Sequence, residues 1–150
     1  MIEEPEANDW VEMGTGHQCD SFRYWFWAYA INRVFYSLGT ESGVPWGVSH
    51  YFKLYRLSYD GKAWWHYELD NTLKRQVNWN IAGYRVAAGL ESYDAHADVV
   101  SHTYRELQET FDEGPWYYWS ANYRQSWVDP GMCGGWVSQT EWKAAQSNPC

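Results

Sequence analysis

The stretch Phe52-Lys53-Leu54-Tyr55-Arg56-Leu57-Ser58-Tyr59-Asp60-Gly61-Lys62-Ala63-Trp64-Trp65-His66-Tyr67-Glu68-Leu69 reads as one β-hairpin and decides the fold class. Asp-Gly between two aromatic-rich runs is the two-residue turn whose twist matches that of the flanking strands. Placing Tyr59 opposite Lys62 sets Lys53 against Glu68, Leu54 against Tyr67 and Phe52 against Leu69. One face then carries Phe52, Leu54, Trp65, Tyr67 and Leu69. The other carries the Lys53–Glu68 pair with Tyr55 and His66. Opposite charges meeting across strands fit a sheet, and a slip of one residue would turn every side chain to the wrong face.

Upstream, Phe22-Arg23-Tyr24-Trp25-Phe26-Trp27-Ala28-Tyr29 places six aromatic rings in eight positions. Alternation along a strand puts Phe22, Tyr24 and Phe26 on one face and Trp25, Trp27 and Tyr29 on the other. A sheet needs only one apolar face to pack. The first set is therefore expected in the core, and the second against a covering layer or a ligand. Further strands are expected over residues 10–15, 34–38, 76–79, 84–93 and 99–107, separated by Gly-, Asp- and Pro-containing breaks. Residues 104–111 have an alternative reading as a helical turn, and residues 140–145 read as helical. Many short strands at regular spacing predict an all-β chain, an antiparallel β-sandwich with a short irregular or helical C-terminal tail. Residues 1–9 read as a flexible acidic lead-in and 10–150 as a single domain.

Composition narrows the partners. Charged residues are 20 % of the chain and the formal net charge is −8, which argues against nucleic acid, since phosphate binding needs clustered Lys and Arg. No apolar run approaches the length of a bilayer crossing, and the N-terminus has no apolar signal-peptide core. Of the three cysteines, Cys133 paired with Cys150 would tie down the tail, worth roughly 3 kcal/mol in the chain-entropy picture, with Cys19 left over. Abundant Trp and Tyr, few Lys and a terminal Cys favour an extracellular setting. The alternative is three free thiols in a cytosolic protein.

Three constellations bear on chemistry. Rigid rings stack on the apolar faces of sugars while polar neighbours bond the hydroxyls. Trp25, Trp27 and Tyr29, with Trp10 and Arg23 beside them, are the expected platform; packing in a core is the plainer use of the same rings. Glu12 and Glu91 each project from the non-core face of an expected strand, which allows an acid–base pair if those faces share a concavity. Asp94, His96 and Asp98 alternate onto one face but make a weak Ca²⁺ pattern, so no metal and no cofactor are expected.

The order of these elements resembles the concanavalin A-like jelly roll, in its small secreted branch with the glutamic peptidases and neprosin-like domains. The resemblance covers about residues 10–111. It rests on Trp10-Val11-Glu12-Met13-Gly14, on Tyr24-Trp25-Phe26-Trp27-Ala28-Tyr29, on the hairpin ending Glu68-Leu69-Asp70-Asn71, and on Ala88-Gly89-Leu90-Glu91. It implies a jelly roll in which Glu12 and Glu91 stand at the catalytic positions. The reading that results is a secreted, lectin-like domain binding carbohydrate or another extracellular polymer. Its alternatives are a glutamic-type acid hydrolase using Glu12 and Glu91, and a structural or filament subunit that self-associates.

Overall fold

The structure, a computed structural model, describes residues 2–4, 9–18, 22–45, 47–80, 85–86, 102–105, 107–109, 114–118 and 132–146. Among them every regular element is a strand, and no helix is long and apolar enough to cross a membrane. The chain forms two compact units, Met1–Ala87 and Ala88–Cys150.

The first unit holds β1 (Ile2–Glu4), β2 (Asp9–Gln18), β3 (Phe22–Ile31), β4 (Val34–Ser42), β5 (Phe52–Tyr59), β6 (Lys62–Leu69), β7 (Thr72–Asn78) and β8 (Arg85–Val86). They form two antiparallel sheets, ordered β4-β3-β2-β1-β8 and β5-β6-β7. Ile2–Glu4 is thus an interior strand, not the loose lead-in expected of residues 1–9, because its backbone pairs on both sides with β2 and β8.

Two-residue turns set the register. Asn32-Arg33, Asp60-Gly61 and Asp70-Asn71 all have both residues at positive φ, between 51° and 68°, as this tightest hairpin turn requires. The Asp60-Gly61 turn gives the expected register throughout, with Tyr59 opposite Lys62, Lys53 opposite Glu68 and Phe52 opposite Leu69.

The two sheets share one core of Val11, Trp25 and Trp27 from the first and Trp65, Tyr67 and Leu69 from the second. Tyr67 is fully buried, and its hydroxyl crosses to donate to the Ala28 carbonyl at 2.9 Å. Each sheet also has a one-residue bulge. Leu38 is the extra residue opposite Trp27–Ala28, and Lys74 the extra one opposite Tyr67–Glu68. One guanidinium serves both: Arg75 donates from Nε to the Leu38 carbonyl (3.0 Å) and from Nη1 to the Lys74 carbonyl (2.6 Å). Gly39, at φ 126°, leaves room for it, since a Cβ there would lie 3.2 Å from Arg75 Nη2. The same cation lies over the Trp27 ring at 4.8 Å, and Glu41 pairs with Lys74 Nζ at 3.1 Å.

The second unit holds β9 (His102–Arg105), β10 (Gln108–Glu109), β11 (Tyr117–Tyr118), β12 (Met132–Trp136) and β13 (Glu141–Gln146). They make a three-stranded sheet, β12-β13-β9, and a β10–β11 pair. The tail expected to be irregular or helical is therefore the central strand of a sheet. The reason is alternation: Trp142 and Ala144 are buried, while Glu141 and Lys143 take the other face. Trp142 packs on Tyr104 at 5.6 Å and closes over Gly134. Cys133 is disulfide-bonded; Cys19 and Cys150 lie outside the described residues.

Candidate functional site

The expected platform is core. Trp25 is 7 % and Trp27 1 % exposed, and both pack against β6, so neither presents a face to a ligand. Pairing explains the reversal. Met13 stands opposite Trp27 and Val11 opposite Tyr29, and directly opposed residues of a sheet share a face. With Val11 and Met13 turned inward, Trp27 and Tyr29 must turn inward too. Tyr24 and Phe26, expected in the core, take the other face, where their rings lie over Gly16 and Gly14. On that second face Ala28 and Ala30 are fully buried between these larger side chains, which are themselves half-buried.

The remaining expected residues are dispersed. Trp10 and Glu12 share the face of Tyr24 and Phe26, with the sheet itself between them and Trp27. Arg23 stands opposite His17, near the far end of β3. Glu12 lies close enough to Tyr67 for its charge to reinforce, after burial, the upward shift of the Tyr67 pKa. Glu91, Asp94, His96 and Asp98 lie outside the described residues.

What the fold does assemble is an open cleft of about 610 Å³ at the β5–β6 turn. Trp79 supplies a ring, and Tyr59 borders the cleft with its own ring turned to the other face of the sheet. Ser58, Asp60, Asn78 and Asn80 supply hydrogen-bonding groups, and Arg56 and Lys62 supply positive charge. Its floor is anchored at the Ala63 carbonyl, which accepts from the Trp79 backbone N–H (3.0 Å) and from Asn78 Nδ2 (2.8 Å). That bond leaves the Asn78 Oδ1 as the acceptor of its amide. Tyr29 alone of the expected platform reaches this neighbourhood, packing on Trp79 at 5.5 Å with Tyr36 stacked behind it at 5.0 Å.

Tyr59 is the last ring but one of a ladder on the outward face of β5 and β6. Trp64 stacks on Tyr59 at 5.6 Å, Tyr59 leans on His66 at 6.2 Å, and His66 stacks on Tyr55 at 5.1 Å. Lys53 Nζ then sits 4.4 Å over the Tyr55 ring and 3.7 Å from Glu68. Tyr55 donates to Glu68 Oε1 at 2.5 Å; burial, then that carboxylate, push its pKa up to about 12. His66 is buried, its Nε2 lacks a hydrogen-bond partner, and burial holds its pKa below the usual range against the pull of Glu68. The ladder thus fixes the Tyr59 ring on the outward face, with the sheet between it and Trp79.

The hairpin register expected from the sequence brings Tyr55, His66, Lys53 and Glu68 together on one face, as observed. The cleft's sequence signal is Asn78-Trp79-Asn80, a ring between two amides at a strand end. No group of His, Cys, Asp and Glu fit to hold a metal occurs among the described residues. No family model, characterised protein or solved structure matches the chain.

Proposed function

We propose that this chain is a carbohydrate-binding domain whose site is the cleft at the β5–β6 turn, beside Trp79. The observation that carries the reading is the lining itself: the Trp79 ring for the apolar face of a sugar, with side-chain amides, a hydroxyl and a carboxylate within the same cleft for its hydroxyls. The packing of Tyr29 on Trp79 at 5.5 Å supports it, because a ring held in place before binding loses little entropy on binding. A secreted setting and a concanavalin A-like jelly roll belong to the same proposal. Two packed antiparallel sheets, with the chain passing between them after β4 and again after β7, are compatible with that fold. The test is calorimetric titration with a panel of soluble oligosaccharides. At least one is expected to bind, and Trp79→Ala is expected to weaken it about tenfold, the scale of losing one buried ring contact. Absence of binding across the panel, or binding untouched by Trp79→Ala, would refute the reading.

One observation favours self-association as a second reading. Val34, Phe35 and Tyr36 are all exposed on β4, which ends the first sheet. A mass that rises with concentration in the native chain, and stays monomeric in Phe35→Lys, would support it.

A further inference from the structure

Resting on the carbohydrate reading, we infer that the site takes a linear chain of several sugar units, which makes a second ring contact at Tyr36, beyond the cleft. Trp79 links the two places. Its backbone N–H donates to the Ala63 carbonyl beside the β5–β6 turn, while its ring packs on Tyr29, two residues from the end of β3. The β5–β6 and β3–β4 turns therefore lie at the same end of the first unit. From Tyr29 the row of rings continues. Pairing sets Tyr29 opposite Tyr36 on one face of the sheet, and the two rings stack at 5.0 Å with their planes 13° apart. Tyr29 thus touches both Trp79 and Tyr36.

The Tyr36 ring has Tyr29 against one face. Its other face turns away from β3 towards the edge of the sheet, and Tyr36 is 42 % exposed. A ring held from one side and open on the other suits the apolar face of a sugar, because little ordering is left to be done on binding. Hydrogen-bonding groups lie close by. Among the described residues β4 has one neighbour in its sheet, so alternate backbone N–H and C=O groups along it turn away from β3. The β3–β4 turn also exposes Asn32 and Arg33. Trp79 at the cleft and Tyr36 at the edge are then two ring contacts with Tyr29 between them. A single sugar unit stacks on one ring at a time. A chain long enough to reach both makes its second contact intramolecularly, without a second loss of translational freedom.

The experiment titrates cellobiose, cellotetraose and cellohexaose by calorimetry, with laminari- and chito-oligosaccharides of the same three lengths and the free monosaccharides in parallel. In the series that binds, the hexasaccharide is expected to bind about tenfold more tightly than the disaccharide, the scale of one added ring contact. Tyr36→Ala should remove most of that ratio, and Tyr36→Phe, which keeps the ring, should retain it. The ratio is the readout because a Tyr36 that only steadied Tyr29 would weaken every length alike. Equal affinity at all lengths, a ratio that Tyr36→Ala leaves intact, or binding of monosaccharides without any linear series would overturn the inference while leaving the carbohydrate reading in place. Binding of no sugar at all would remove the carbohydrate reading beneath it.

Discussion

Tyr29 packs on Trp79 at 5.5 Å with their planes 54° apart, and Tyr36 stacks on Tyr29 at 5.0 Å, which holds the Trp79 ring at the cleft. Tyr29 is not among the cleft's lining residues. It should nevertheless matter to binding. Tyr29→Ala is expected to weaken the oligosaccharide about three- to fivefold by freeing the Trp79 ring, whose ordering then costs affinity. Tyr29→Phe, which keeps a ring on Trp79, should restore most of the loss. Calorimetric titration of the two variants checks this.

Trp27 makes the opposite case. It is fully enclosed between β2, β6 and the Arg75 guanidinium. Trp27→Ala should cost about 3–5 kcal/mol of stability, as large-to-small changes of buried rings do. At a temperature where the variant remains folded, its affinity for an oligosaccharide should equal that of the native chain. Urea denaturation and titration on the same preparation separate the two effects.

The two sheets of the first unit are tied by polar contacts as well as by the core. Tyr67→Phe removes the bond to the Ala28 carbonyl and should cost about 1–2 kcal/mol, because a buried acceptor loses its donor. Arg75→Met leaves the Leu38 and Lys74 carbonyls without that donor and should cost more than Tyr67→Phe. Chemical denaturation gives the order directly.

Stability should peak between about pH 6.5 and pH 10. His66 is held below its ordinary value by burial, so its contribution is present above about 6.5 and is lost as pH falls. Asp70 is held low first by the Tyr51 backbone N–H and then by His50, so its contribution is present above about 4 and is lost as pH falls further. Tyr55, raised to about 12, contributes fully below about 10 and loses that contribution as pH climbs towards 12. Melting temperature against pH should show this plateau, and His66→Phe should remove the part of the acid limb nearest neutrality. Acid conditions of the kind a glutamic-type hydrolase uses would thus cost this chain stability.

The β5–β6 hairpin was readable because turn, charge pairing and apolar face all demanded one register. β3 was not. Its rings fill both faces, so alternation alone left the inward set undecided, and the choice lay in pairing with β2, where Val11 meets Tyr29 and Met13 meets Trp27. The tail misled for a local reason: Glu141-Trp142-Lys143-Ala144 favours a helix in isolation, yet its alternation fits a strand once β12 and β9 flank it. The cleft escaped notice because its residues come from β5, the turn and the end of β7, segments that only the fold brings together. The Glu12–Glu91 pair rested on strand faces, and Glu91 lies outside the described residues.

The most direct test of the central claim is a ¹H–¹⁵N NMR titration with the oligosaccharide that binds most tightly, read at the twelve Trp indole signals and the Asn side-chain amides. The account predicts that the largest shifts fall on the Trp79 indole and the Asn78 and Asn80 amides, with the Trp25 and Trp27 indoles nearly still. Large shifts at Trp25 and Trp27 with Trp79 unmoved would contradict it.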